Sequence, residues 1–207
     1  MMDQLKAAAN RKAREARKRA YLQQVFDRYS ERFRATSDQS ASALARKVHT
    51  TMDQVLERDR GADPTSKAIQ CRRGCDHCCR VPVEIWPHEA ALLFESARAA
   101  GIAIDQARLE RQSRYSIDDW QRQPAEDRAC IFLGDEGQCQ VYDVRPNACR
   151  KLLVVSEPAL CDSEQHEAQR VERWLSWEAE VLESAALEVF GTELMPRLLL
   201  AELRSGT

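Results

Sequence analysis

The cysteines of this 207-residue chain constrain it more than any other feature, because all eight lie between Cys71 and Cys161. The first group has the spacing C-x3-C-x2-C-C: Cys71, Cys75, Cys78 and Cys79. The second group is more widely spaced: Cys130, Cys139, Cys149 and Cys161. Eight thiols are enough for two four-coordinate metal ions, for one cluster and one ion, or for as many as four disulfides.

The rest of the chain favours metal over disulfides. The N-terminus has no apolar segment typical of a secretory signal, and no apolar run reaches the ~20 residues of a membrane span. We therefore expect a cytoplasmic protein without a membrane span, in a reducing compartment where clustered cysteines bind metal more often than they pair. Sites made only of sulfur favour zinc or iron–sulfur. We predict that all eight cysteines chelate metal, with zinc first and iron or a [4Fe-4S] cluster second.

The adjacent cysteines give a further prediction about geometry. Neighbouring side chains in an extended segment point to opposite sides, so we expect one of Cys78 and Cys79 to face the first group and the other the second. His77 is expected to be a loop residue facing solvent, since the thiols already satisfy a metal ion. The other histidines lie on predicted helices and are expected to be surface or packing residues: His49, His88 and His166.

Hydrophobic periodicity predicts a mainly α-helical chain that begins with two helices. The first covers residues 3–34, and the second is capped by Asp38 and stopped by Gly61 and Asp63-Pro64. Their apolar stripes consist of Leu22, Val25, Phe26, Tyr29 and Phe33 in the first helix, and of Leu44, Val48, Met52, Val55 and Leu56 in the second.

The middle of the chain is predicted to be more irregular. Residues 81–86 are expected to be extended, and helices are predicted over 87–100, where Pro suits the first turn, and over 104–120. Gly134 and Gly137 favour a small β-hairpin or knuckle between Cys130 and Cys139.

The C-terminal part is predicted to be helical again. Residues 163–190 have the pattern of one long amphipathic helix ended by Gly191. Thr192 is expected to cap a last helix, with Pro196 in its first turn. The chain is thus predicted to have three parts: a helical N-terminal arm (1–62), a metal-stabilised cysteine-cluster domain with a minor β-hairpin (63–165) and C-terminal amphipathic helices (166–207).

The cysteines and their flanking residues resemble the zinc- or iron-chelating cysteine-cluster proteins, the YkgJ-like family. The matching segments are Cys-Arg-Arg-Gly-Cys-Asp-His-Cys-Cys at 71–79, Glu89, Cys130-Ile-Phe-Leu, the run from Gly137 to Arg150 that contains Tyr142-Asp-Val-Arg145-Pro146, and Cys161. The resemblance covers residues 68–165 and implies a bacterial metal-binding module. A similar cluster in flagellin lysine N-methylases implies an iron–sulfur alternative with a redox or methylation-linked role.

Tyr142, Arg145 and Arg150 belong to the same motif and have two interpretations. The arginines would offset the charge of thiolates bound to metal, since a buried centre with four thiolates needs such donors. Alternatively, Arg145 pairs with Asp143, and Tyr142 is a core aromatic residue.

No catalytic site is predicted. Catalytic triads, glycine-rich phosphate loops and the His-Glu-x-x-His motif are absent. The C-x3-C-x2-C spacing also occurs in radical SAM enzymes, but those have an aromatic residue where this chain has His77, and they need a barrel that this helical pattern does not predict. We therefore predict a non-catalytic module that is structural or presents its helical arms to a protein partner.

The net charge of −2 hides an uneven distribution. The first twenty residues contain Lys6, Arg11, Lys12, Arg14, Arg17, Lys18 and Arg19, opposed by Asp3 and Glu15. RNA or ribosome binding through residues 6–19 is therefore a further hypothesis. A solvated helix, or one lying against the acidic C-terminal helices, is the simpler interpretation and the one we favour.

Overall fold

The computed structural model describes residues 2–36, 39–161 and 170–206, with side chains from residue 10 onward. The fold is mainly helical with short two-stranded sheets, which confirms the predicted fold class. Within this part of the chain, no helix combines the length and the apolar character that a membrane span requires. Two predictions fall outside the described residues: the cap at Asp38, and the part of the 163–190 helix that lies before residue 170 and contains His166.

The N-terminal helices are α1 (Met2–Arg34) and α2 (Ala41–Ala62). The stripe of α2 is buried along its whole length, and Val25, Tyr29 and Phe33 of α1 are buried as well. Ser40 caps α2 by accepting a hydrogen bond from the Ala43 N–H. Helix α2 ends at Ala62 with Asp63 as its C-cap, which confirms the predicted stop at Asp63-Pro64, although Gly61 is itself still helical.

The central helices surround the cysteine segments: α3 (Pro87–Ala99), α4 (Gln106–Gln112), α5 (Ile117–Trp120), α6 (Ala125–Arg128) and α7 (Asn147–Lys151). Gly101, with a φ of 66°, follows α3 as predicted. The predicted single helix over 104–120 is wrong, because it is split into α4 and α5. Asp105 caps α4 and Ser116 caps α5, so each short helix has its own start.

The strands join segments that are distant in sequence. Strand β1 (Glu84–Ile85) pairs antiparallel with β4 (Glu193–Leu194), and β2 (Leu153–Val154) pairs antiparallel with β3 (Arg173–Trp174). The extended segment predicted over 81–86 is therefore confirmed at β1.

The C-terminal helices are α8 (Trp177–Phe190) and α9 (Met195–Ser205). The predicted helix over 163–190 is wrong for the described residues 170–176, which include β3. Gly191, with a φ of 79°, ends α8 as predicted, and Pro196 lies in the first turn of α9. Thr192 is not the cap of that helix; its hydroxyl donates to the Ile85 carbonyl instead.

Two apolar clusters form the core. The first contains the buried faces of α1, α2 and α8 together with Trp86. The second contains Ile85, Phe132 and buried residues of α3, α4 and α9. The division into three domains stays a prediction, but the first cluster includes Val25, Trp86 and Leu182, one from each predicted part.

Candidate metal centre

Seven of the eight cysteines line one cavity of about 180 Å³. They are Cys71, Cys75, Cys78, Cys79, Cys130, Cys139 and Cys149. All eight cysteines are free thiols and all are partly buried. Side chains from distant parts of the sequence therefore converge on one space.

The first group lies on a tight loop followed by a helical turn. The Cys75 N–H donates to the Arg72 carbonyl at 3.1 Å, and Gly74 between them has a φ of 87°, which favours glycine. Cys78 and Cys79 belong to a 3₁₀ turn, His77–Arg80, rather than to an extended segment. The extended conformation on which the prediction for these two side chains rested is therefore wrong, and both cysteines line the cavity that the two groups share.

A turn brings Cys139 back toward Cys130. The Gln140 N–H donates to the Phe132 carbonyl at 2.9 Å, and Leu133 forms an antiparallel bridge with Cys139, so the predicted hairpin is present as a turn closed by a single bridge. The Cys130 N–H donates to the Cys79 carbonyl at 2.7 Å. This bond joins the second group directly to the first.

Cys149 lies on α7, and the chain leaving that helix holds Cys71. The Val154 N–H donates to the Cys71 sulfur at 3.3 Å, and the Gln70 N–H donates to the Val154 carbonyl at 2.9 Å. The segment that enters the first group therefore runs beside the segment that follows Cys149.

Cys161 is not among the residues that line the cavity. It ends the 3₁₀ turn Pro158–Cys161, which packs against the turn His77–Arg80. Burial raises the pKa of its thiol to about 11, and the charges of Cys78, Cys71 and Cys75 add to that effect. The structure thus places Cys161 beside the first group.

The electrostatics of the cavity oppose ionisation of most thiols. Burial raises the pKa of Cys130 to about 12 and also raises those of Cys71 and Cys149. Cys78 is the exception, because its hydrogen bond with Cys79 lowers its pKa to about 7 and raises that of Cys79. Neighbouring thiolates also raise one another's pKa, so several thiolates need a nearby cation to exist together.

The donor set fits zinc or iron, since the cavity offers several thiols that come from different segments. Within the described residues, no group of three or more cysteine, histidine, aspartate or glutamate side chains is already arranged to hold an ion. Binding would therefore require the thiols to turn toward the metal as they lose their protons.

The family comparison agrees with this donor set. Residues 70–173 match the model of the CxxCxxCC family, described as a putative zinc- or iron-chelating domain. The chain belongs to the CxxCxxCC family. No curated protein and no solved structure matches it. The match confirms the predicted family and supports metal chelation, and it includes all eight cysteines.

Tyr142 of the CxxCxxCC domain lies between two guanidinium groups. The Arg145 guanidinium carbon is 3.8 Å and that of Arg73 is 4.2 Å from the centre of the tyrosine ring. Arg73, and not Arg145, pairs with Asp143, at 2.6 Å. Arg145 lines the cavity and its charge lowers the pKa of Cys71, Cys78 and Cys139, although other effects are larger there. This stack was not predicted, because it joins residues about 70 positions apart.

Arg150 serves α7 rather than the thiols. Its side chain is 6% exposed, and it donates to both carboxylate oxygens of Asp53, at 2.8 and 2.9 Å. It also donates to the carbonyls of Arg145 and Asp143. These bonds hold the helix that carries Cys149 against α2.

Glu89 holds the other end of α7. One of its carboxylate oxygens accepts from the Asn147 N–H at 2.7 Å and lies 2.9 Å from the His49 ring nitrogen Nε2. Both side chains are buried, and burial raises the pKa of Glu89 to about 7 and lowers that of His49 to about 3. In the sequence, Glu89 stood out only through its place in the family motif, and His49 was assigned to surface or packing.

Proposed function

We propose that the protein is a metal-ion-binding module in which the eight cysteines hold zinc, or iron as the second choice, in a structural and non-catalytic role. The observation that carries this proposal is the convergence of seven thiols on one cavity. Family membership supports metal chelation and leaves the metal open. Eight unpaired thiols also suit a reducing compartment, and we propose a cytoplasmic location on that ground.

A structural role follows from which segments the thiols would join. The cavity receives cysteines from the loop at 71–79, from the turn at 130–139 and from α7, which share few regular hydrogen bonds. Metal bound by all three would fix their relative positions, and structural zinc contributes ~10 kcal/mol or more to folding. Zinc held by four thiolates carries a formal charge near −2, and Arg145 is placed to offset part of it.

An iron–sulfur cluster is the second candidate, and the size of the cavity favours it. The cavity has about 180 Å³, whereas about 10–15 Å³ suffices for one water molecule. A space of that size accommodates bridging sulfides as well as metal ions. If the protein holds a cluster, a redox or methylation-linked role becomes the first function to test.

Anaerobic purification, elemental analysis and a visible spectrum on one sample separate these candidates. Zinc near two equivalents in a colourless sample supports the structural module. Iron with acid-labile sulfide and a broad band near ~400 nm supports the cluster. A protein that is folded, reduced and free of both metals contradicts the proposal.

Single cysteine variants test the ligands. We expect Cys75→Ser and Cys149→Ser to lose bound metal and to expose apolar surface, measured by elemental analysis and by binding of a hydrophobic dye. His77→Asn is the matched control, since it changes the same loop at a residue outside the cavity lining and should keep the metal. Normal metal content and normal thermal stability in both cysteine variants would refute the ligand assignment.

A further inference from the structure

Residues 10–24 of α1 expose nearly all of their side chains. Every side chain from Asn10 to Gln24 is exposed except Leu22, which is partly buried. Packing against the first apolar cluster begins at Val25, which is 2% exposed. About four turns of this helix therefore present their side chains to solvent.

This exposed segment is strongly basic. It contains a single acidic residue, Glu15, and the basic residues are Arg11, Lys12, Arg14, Arg17, Lys18 and Arg19. In the part of the chain that the structure describes, none of the six forms an ion pair with a carboxylate. Like charges three or four positions apart destabilise a helix by a few tenths of a kcal/mol per pair, so a polyanion bound here would relieve repulsion.

One side of the segment combines charge with aromatic surface. Arg11, Arg14, Lys18 and Tyr21 follow one another at intervals of three, four and three residues, so they share a helix face. The Lys18 ammonium lies 3.3 Å from the centre of the Trp177 ring at the start of α8. Tyr21 is 56% exposed and Trp177 is 51% exposed. We call these five residues the basic-aromatic face.

We propose that the basic-aromatic face binds single-stranded RNA. The cations follow a line suited to a phosphate backbone, and the exposed rings at its end offer surfaces on which bases stack. An anionic membrane fits less well, because a helix that lies in a membrane needs bulky apolar residues on its other side. On this helix the apolar residues of the other side are Ala13, Ala16 and Ala20, whose side chains are small.

The test uses the full chain in its metal-bound form and a fluorescein-labelled 20-nucleotide oligouridine, with anisotropy measured from 50 to 200 mM KCl. Two double variants each remove one Arg and one Lys: Arg14→Gln with Lys18→Gln on the face, and Lys12→Gln with Arg19→Gln outside it. We expect at least a tenfold loss for the first and at most a threefold loss for the second. The logarithmic salt slope should fall by about 0.7 for each phosphate contact removed.

Tyr21→Leu tests the stacking. We expect it to weaken binding about fivefold or more. The salt slope should stay unchanged, because stacking a base on the ring neutralises no phosphate and therefore releases no counterion. Equal losses of affinity in the two double variants would overturn the proposal, because binding would then depend only on the total positive charge of the helix. Affinity for polyglutamate equal to that for the oligouridine would overturn it for the same reason. Absence of binding at 50 mM KCl would overturn it as well, and circular dichroism confirms that each variant is folded.

Discussion

Glu183 is a buried carboxyl group in an environment that opposes its charge. It is 4% exposed, and neither of its oxygens has a hydrogen-bond partner within the described residues. Burial is the main cause that raises its pKa from 4.5 to about 8, and the charges of Glu89 and Glu180 raise it further. Lys151 and the side chain of Asn147 act in the opposite direction.

The raised pKa predicts how stability depends on pH. Between pH 4.5 and 8 the unfolded chain ionises Glu183 while the folded chain holds the proton, so this group lowers the stability as pH rises through that window. We expect Glu183→Gln to be more stable than the parent protein by about 1–3 kcal/mol at pH 8 and to be equally stable near pH 4.5. Urea unfolding of the two proteins at pH 8 and near pH 4.5, on samples with equal metal content, measures this difference in the free energy of unfolding.

The exposed Glu188 on the same helix supplies the control for that prediction, since Glu188→Gln removes an equal charge from a solvated site. A gain in stability that is the same at both pH values, or the same for the two variants, would show that Glu183 is not buried as described.

The sequence could not reveal this environment, although it revealed the thiols. The cysteines are recognisable by their number and spacing alone, because few folds need eight thiols in one stretch. Glu89, His49 and Glu183 have ordinary positions on amphipathic helices. Their burial depends on how α2, α3, α7 and α8 pack, and that packing leaves no local pattern.

The start of α8 depends on one side chain. The Ser176 hydroxyl accepts from the Ala179 N–H at 3.1 Å and donates to an Asp59 carboxylate oxygen at 2.5 Å, which ties α8 to α2. We expect Ser176→Ala to lower the free energy of unfolding by about 1–2 kcal/mol, because both bonds disappear from a site that is 5% exposed.

Ser40→Ala is the comparison at the start of α2. Its bond to the Ala43 N–H is longer, at 3.4 Å, and the site is exposed, so we expect a loss of about 0.5 kcal/mol. Equal losses for the two variants in urea unfolding would mean that the link to Asp59 contributes nothing.

Helices with a regular stripe were predictable, and segments with a distant partner were not. The stripe of α2 is buried from Leu44 to Leu56, because the period of the helix alone decides which side is apolar. Residues 170–176 have an equally helical pattern. They form β3 and then the cap of α8 because Leu153–Val154 pairs with Arg173–Trp174, and this partner lies about twenty residues away in the sequence.

At the scale of the whole molecule, the thiols lie between the two apolar clusters. Phe132, Val141 and Met195 of the second cluster line the cavity together with Leu153 of the first. Helices α1, α2 and α8 bury a large apolar surface without the cysteines, apart from Cys71, which packs against the first cluster. The first cluster should therefore depend less on metal than the cysteine segments do.

Removal of metal should consequently loosen one part of the fold. We expect chelation under reducing conditions to raise hydrogen exchange at least tenfold in residues 71–80 and 130–141, while the buried part of α2 stays protected. The physical reason is that these segments have few regular backbone bonds, whereas α2 has both a complete helix and a buried stripe. Adding zinc back should restore protection. The prediction is contradicted if exchange in residues 71–80 and 130–141 is unchanged after chelation. It is also contradicted if exchange rises equally in α2, because the first apolar cluster would then depend on metal as much as the cysteine segments do.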